Sequence, residues 1–399
     1  MKVIGNFAAL GATKARRGHI LLLFSGGLDS CHTLSLLKEA GWRVTALYVG
    51  FGEKPPETLS VAEDVADTVL HVDAEQVFCD EFLACGIRCQ AIYYGGMPLS
   101  STFTRPLIAG LAVEHARRLG VEVIASNVTA FQNSFFRFAK SIEILAPEMS
   151  LFSPSIGSYI DRQAKVQQLI SVFKPFFLNV ARGTYSVDEN VWCRVVENGD
   201  IEHPDRTLPI GDIRMQPWQG GEVHIEIKFS GGTPVAVGGE EMPLSRLVHL
   251  LNKRFEGHPD SFFYGLEGNV FGVKNPEPRI SMAARLIHEG SLFLSQAILS
   301  TLELQLREEL SRRFALAAIE GGWFSSHAAA LRAALEVTAR PLSGLVSWRI
   351  DERSTDPARI VPAASSKIGS HLPHFTTSVE QFGITEKVVF DVMREHTYA

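Results

Sequence analysis

The sequence predicts an α/β protein, with an N-terminal domain built on a parallel sheet and a second domain of the α+β type. Three observations carry this. A continuous apolar run, Ile20–Phe24, feeds a glycine turn and then an amphipathic stretch, as a buried parallel strand and its crossover helix do. Strand-like and helix-like stretches alternate as far as Ala125. After about Arg182 the pattern changes to strict alternation of apolar and polar residues, which marks strands with one face on a core.

Taken in order, residues 1–18 hold Lys2, Lys14, Arg16 and Arg17 with no acid, and Gly5-Asn6 interrupts their apolar part. They read as a loose N-terminal extension. The helix after the glycine turn runs through Leu37 and closes at Gly41, and Arg43–Val49 is the next strand. Pro106–Leu119 reads as a helix before a strand at Val121–Ala125. In the second half, Val223, Ile225, Ile227 and Phe229 alternate with His224, Glu226 and Lys228. Ser230-Gly231-Gly232-Thr233 then turns the chain into Pro234–Val237, a hairpin by turn chemistry. Leu299, Leu302, Leu306, Leu310 and Phe314 form one stripe of a long helix that Gly321-Gly322 stops. Glu303–Arg307, Glu308–Arg312 and Glu309–Arg313 are spaced to pair on its water side. The expected division is an extension over 1–18, a nucleotide-binding domain over 19–180, a synthetase domain over 181–372 and a C-terminal arm over 373–399.

Composition narrows the function. The 399 residues carry a net charge of −6, 46% are apolar and 21% charged. No basic footprint is present, which argues against nucleic-acid partners. No apolar run approaches the roughly 20 residues that cross a bilayer. Cys31, Cys79, Cys85, Cys89 and Cys193 are odd in number and lack paired CxxC spacing, so a reduced, cytoplasmic protein is expected. Cys85 and Cys89, four apart, suggest a thiol or metal role such as RNA sulfuration, but buried cysteine is commonly a small hydrophobe. His224, His249 and His288 are isolated and suit local hydrogen bonding; no metal site is expected.

The chemistry begins at Ser25-Gly26-Gly27-Leu28-Asp29-Ser30. Glycines let backbone N–H groups approach an anion, hydroxyls add donors, and the helix start adds a favourable dipole. The lysine of a Walker loop is missing. The string resembles the pyrophosphate-binding (PP) loop of the ATP pyrophosphatases, the adenine-nucleotide alpha-hydrolase-like fold.

Tyr185–Trp192, with the segment Glu197–Pro204 after it, resembles the hallmark region of argininosuccinate synthases. Ser101–Ala116, Phe136–Pro154, Val223–Val237, Leu266–Lys274, Arg312–Ser325 and Phe382–His396 extend the resemblance over roughly 19–395. It implies an ATP-dependent ligase that adenylates the ureido oxygen of citrulline, releases pyrophosphate, and lets the aspartate amine displace AMP. It also implies Mg²⁺ with ATP, small-molecule substrates and a homotetramer formed through the C-terminal arm.

Roles implied by the resemblance attach to the matching residues. Ser25, Gly26, Gly27, Leu28, Asp29, Ser30 and Asn127 would bind ATP. Thr129 and Asn133 would hold aspartate, and Arg137, Ser101, Thr102, Ser186 and Glu267 the acceptor. Asp29, Arg105 and Arg137 would carry the catalytic charges. The sequence departs from the family elsewhere. Ser134 replaces an aspartate, Met97 a tyrosine, Val195 a serine and Arg279 a tyrosine, and the substrate loop loses three glycines and a lysine while gaining Phe131, Phe135 and Phe136. Hydroxyls are lost and Arg279 adds a cation that would favour an extra carboxylate or phosphate on the acceptor. The expectation is a ligase of this type with a non-standard acceptor in specialised metabolism. Ordinary argininosuccinate synthesis and a non-catalytic nucleotide-binding paralogue are the alternatives.

Overall fold

The structure, a computed structural model, describes residues 1–13, 18–129, 132–156, 160–178, 185–197, 199–202, 213 and 217–363. The arm expected over 373–399 lies outside the described residues.

A six-stranded parallel sheet forms the first layer. Its strands are β1 (Lys2–Ile4), β2 (His19–Leu23), β3 (Arg43–Gly50), β4 (Thr68–Asp73), β7 (Val123–Ala125) and β8 (Ser150–Phe152), in the order β1-β8-β7-β2-β3-β4. A two-stranded ribbon, β5 (Ile92–Tyr93) with β6 (Met97–Pro98), lies between β4 and β7 in the chain. The helices of this half are α1 (Phe7–Gly11), α2 (Leu28–Glu39), α3 (Thr58–Val65), α4 (Glu75–Val77), α5 (Ala84–Arg88), α6 (Ser101–Leu119), α7 (Asn133–Leu145), α8 (Arg162–Gln167) and α9 (Lys174–Leu178). From β2 the chain steps through β3 to β4 on one side, and after α6 it resumes on the other side of β2 with β7. The strand order reverses between β2 and β7, and ligands of open α/β sheets bind outside the carboxyl ends of the strands at such a point.

Side chains of β2 alternate between two cores. Leu21 and Leu23 join one cluster, Ile20 and Leu22 the other, so both faces of the sheet are covered. The cluster holding Leu21 continues into the second domain through Ile225, Phe229, Leu247 and Trp348.

The second half holds two antiparallel sheets. One orders β14 (Phe262–Gly268), β15 (Lys274–Ile280), β10 (Arg194–Glu197) and β9 (Ser186–Glu189) side by side. The other orders β13 (Glu240–Glu241), β12 (Thr233–Val237), β11 (Val223–Ser230), β16 (Gly344–Ile350) and β17 (Thr355–Pro362). The expected hairpin is β11–β12, with Gly231 and Gly232 at φ +55° and +79° in its turn. Helices α10 (Leu244–Arg254), α11 (Met282–Ile298), α12 (Thr301–Ile319) and α13 (Ser326–Ala339) complete this half.

Two expectations are corrected. The N-terminal segment is no loose extension: β1 pairs in parallel with β8, and Ile4 and Leu10 are buried. The long helix buries Arg307, Ser311, Phe314, Ala315 and Ala318, while Leu302 and Leu306 are exposed. Arg307 does not pair with Glu303; its guanidinium donates to the Thr338 hydroxyl at 2.9 Å and to the Arg88 carbonyl. Glu303 instead completes a capping box with Ser300. A polar residue at the centre of the buried stripe hid the true face. The Glu309–Arg313 pair forms as expected, at 2.7 Å.

Candidate active site

The phosphate loop sits at the carboxyl end of β2, beside the reversal point. Gly26 has φ +77°, and a Cβ there would lie 2.3 Å from Pro56 Cγ and 2.6 Å from Thr58 Oγ1, so only glycine fits. The Thr58 hydroxyl donates to the Gly26 carbonyl at 2.7 Å, and the Ser30 hydroxyl to the Gly27 carbonyl at 2.9 Å. These bonds turn carbonyls away and leave the first turn of α2, whose N-cap Gly27 supplies no side-chain cap, as an anion cradle. Leu28 anchors the turn in the core. Asp29 is paired with Lys165 of α8 at 2.6 Å.

Across the reversal point, the loop after β7 is held from beneath. The Ser153 hydroxyl donates to the Val128 carbonyl at 2.6 Å, the Ser155 hydroxyl to the Asn127 carbonyl at 3.4 Å, and the Thr129 N–H to Gln132 Oε1 at 3.0 Å. Phe131 lies outside the described residues. Asn133 and the half-buried Ser134 open α7, and Phe136 stacks edge-on with Phe271 of the β14–β15 turn at 5.7 Å between centroids.

The start of α7 meets a charged cluster buried under β14 and β15. Glu267 is 3% exposed, and its Oε1 accepts from Asn133 Nδ2 at 2.7 Å and from Arg137, while its Oε2 accepts from Arg279. Arg137 also donates to Ser101 Oγ at 2.8 Å and to the Ile319 carbonyl at 3.0 Å. Three buried polar atoms here, Thr102 Oγ1, Asn133 Oδ1 and Arg279 Nε, have no protein partner. Such atoms in a native fold mark a place for water or ligand. Nearby, Arg105 bonds Asp188 at 2.5 Å, fixing the first turns of α6 against β9.

Electrostatics distinguishes the acids. Burial alone would raise the Glu267 carboxyl, but Arg137 and Arg279 overcome it and hold it at about 2. Glu277 is pushed up to about 8 by burial and by the adjacent Glu267, against the pull of Arg279. Burial and the neighbouring Asp188 raise Glu197 to about 7.

The free cation expected at Arg279 is not there. Arg279 is 1% exposed and its guanidinium is committed to Glu267, Glu277 and the Pro98 carbonyl. Glu277 lies two residues earlier on the same strand face, so the added cation arrives with its own acid. Val195 is buried opposite Arg279 on one side and Asp188 on the other. Met97 is buried with its sulfur 2.8 Å from where a Gly265 Cβ would be, so β14 needs a glycine to pass it. Ser186 is exposed, its hydroxyl donating to the Glu197 carbonyl at 3.2 Å. The structure thus joins Ser101, Asn133, Arg137, Glu267 and Arg279 in one network, and keeps Asp29 in a separate set of contacts at the phosphate loop.

Lys165, Asp188, Glu197 and Glu277 were not singled out by sequence; only Glu277 carried a signal, its two-residue spacing from Arg279. All five cysteines are buried and free, and no cluster able to hold a metal occurs among the described residues. His249 bonds Glu75 at 3.1 Å, but His288 is buried with neither ring nitrogen partnered, contrary to the hydrogen-bonding role expected of it. A cavity of about 210 Å³ lined by Glu53, Asn190, Cys193, Arg194 and Asn252 includes no predicted site residue. Among the described residues no helix is long and apolar enough to cross a membrane.

Two family models match the chain: the arginosuccinate synthase N-terminal HUP domain over residues 19–170 and the arginosuccinate synthase C-terminal domain over 185–353. The argininosuccinate synthase of Rubrobacter xylanophilus is 30% identical over 372 residues, covering 90% of each chain. That of Methanocaldococcus jannaschii is 29% identical over 339 residues, 83% of this chain and 85% of the relative. That of Thermoplasma acidophilum is 30% identical over 338 residues, 83% of each. With a phosphate loop at the reversal point of a parallel sheet and matches over most of its length, the chain belongs to the argininosuccinate synthase family of ATP-dependent carbon–nitrogen ligases.

Proposed function

We propose that the chain runs the argininosuccinate synthase reaction, activating the ureido oxygen of citrulline with ATP and joining it to aspartate. The observation that carries this reading is the meeting of Asn133, Arg137 and Glu267 with Ser101, from three separate elements, beside the unpartnered Thr102 Oγ1 and Asn133 Oδ1. In this reading the loop from Ser25 to Ser30 and Asn127 bind the nucleotide. Thr129, Asn133 and Ser134 orient the amine donor. Arg105 neutralises charge as the oxygen attacks phosphorus, while Arg137, committed to Glu267, Ser101 and the Ile319 carbonyl, holds the acceptor-binding groups in place. Keeping the reactants together supplies much of the rate. Asp29, whose side chain is 45% exposed, is the protein carboxylate suited to a Mg²⁺ that enters with the nucleotide. The reading also expects a cytoplasmic location and a homotetramer, and sedimentation of the full chain against a truncation after Ser370 tests the oligomer.

One observation favours a second reading, in which the acceptor differs. Arg279 occupies Glu267 Oε2, so that carboxylate is less available to an ammonium group on the acceptor. A carboxylate already paired with an arginine lends less discrimination to the acceptor. AMP and pyrophosphate release with citrulline plus aspartate separates the two. Turnover on the order of 1–10³ per second supports the first. Turnover confined to other ureido or amide acceptors supports the second, and ATP binding without AMP across the panel refutes both.

A further inference from the structure

We propose that Lys165 is the cation of the phosphate loop, leaving Asp29 to grip the pyrophosphate portion of ATP and the pyrophosphate that departs. The loop from Ser25 to Ser30 offers backbone N–H groups and hydroxyls, but its one charged side chain, Asp29, is negative and repels a phosphate chain. The sequence has no lysine at the end of the glycine turn. The structure brings one from 136 residues away: Lys165 Nζ lies 2.6 Å from Asp29 Oδ1, with its side chain only 16% exposed.

The lysine is delivered by an element fastened to the loop's own helix. Gln168 Oε1 meets His32 Nε2 at 2.8 Å, and the Ile170 N–H donates to Ser35 Oγ at 3.1 Å. Asp161 caps α8 by accepting from the Ala164 N–H at 2.9 Å, and Val166 and Leu169 are buried beneath it. These contacts aim the stem of Lys165 along α2 toward its N-terminus. His32 adds no competing charge, because burial lowers its pKa and keeps the ring neutral. Lys165 brings a positive charge to the loop through Asp29. A flexible stem lets the ammonium exchange one anion for another without moving α8. When the bond between the α- and β-phosphates breaks, the charge accumulating on pyrophosphate meets this ammonium together with the N-terminus of α2.

The inference rests on the phosphate-loop reading above, and calorimetry with sodium pyrophosphate keeps the two apart. The parent chain is expected to bind, K165M to bind at least tenfold more weakly with an unchanged melting temperature, and K165R within threefold of the parent. A shallower salt dependence of binding in K165M is expected as well, because one charge contact is gone. Equal affinity in K165M overturns the role of Lys165 and leaves the loop reading standing; absence of binding by the parent chain overturns both. A second measurement needs no variant. Acetylation of the parent chain, read by mass spectrometry, is expected to slow at Lys165 when pyrophosphate is present, and an unchanged rate overturns the proposal.

Discussion

Replacing Glu267 by glutamine removes one charge and keeps the shape. In the parent, both carboxylate oxygens are used, by Asn133 and Arg137 on one side and Arg279 on the other, with 3% of the side chain exposed. The glutamine oxygen replaces one acceptor, but its NH₂ is a donor set against a guanidinium that can only donate. A carboxyl held at about 2 instead of 4.5 contributes about 3 kcal/mol at neutral pH. Breaking a buried ion pair from one side costs roughly 3–5 kcal/mol by an independent route, and the two agree. Glu277 offsets part of the loss, since without Glu267 beside it this acid ionises more readily and pairs more strongly with Arg279. E267Q/E277Q is therefore expected to be less stable than E267Q. Urea unfolding followed by tryptophan fluorescence measures the difference. Because the folded-state pKa is lowered, the contribution is full above pH 4.5 and is lost as pH falls toward 2. Parent and E267Q should thus differ by about 3 kcal/mol at pH 7 and converge in acid. A gap under about 1 kcal/mol at pH 7, or one that stays constant with pH, refutes the reasoning.

G26A forces φ +77° on a residue with a Cβ and drives it against Pro56; unfolding by urea should show a loss of about 2 kcal/mol or more, with nucleotide affinity lost in calorimetry. R279M leaves Glu277 and the Pro98 carbonyl without their donor and should cost roughly 3 kcal/mol, of which R279M/E277L recovers at least half in a double-mutant cycle. Burial lowers His288 to about 4, so its contribution to stability is full above pH 6.5 and declines as pH falls toward 4. H288L should flatten that decline in pH-dependent thermal unfolding, and an unaltered slope counts against the assignment.

Local signals made the nucleotide half legible. The apolar run of β2, the glycine at positive φ and the helix behind it are neighbours in sequence, so each element announces the next. The meeting of Arg137 with Glu267, 130 residues apart, was reached through resemblance rather than through any pattern in the chain. What sequence could not reveal was how charges cancel. Arg279 reads as an added cation until its guanidinium is seen to reach along the sheet to the carboxylates of Glu277 and Glu267. Lys165 is on a six-residue helix with no periodic signal, and β1 is three residues long, too short to alternate visibly. Both matter through partners more than 130 residues away.

That short first strand has a practical side. Ser150–Phe152 would be the bare border of the sheet without Lys2–Ile4 along it, and parallel borders with open N–H and C=O groups recruit other chains. Trimming the first thirteen residues as a disposable tail would also uncover the pockets that hold Ile4 and Leu10. An expression tag is better added ahead of Met1 than exchanged for the strand itself. The same strand is a natural place to watch the protein begin to come apart, since among the described residues it borders that side of the sheet through only three ladder positions.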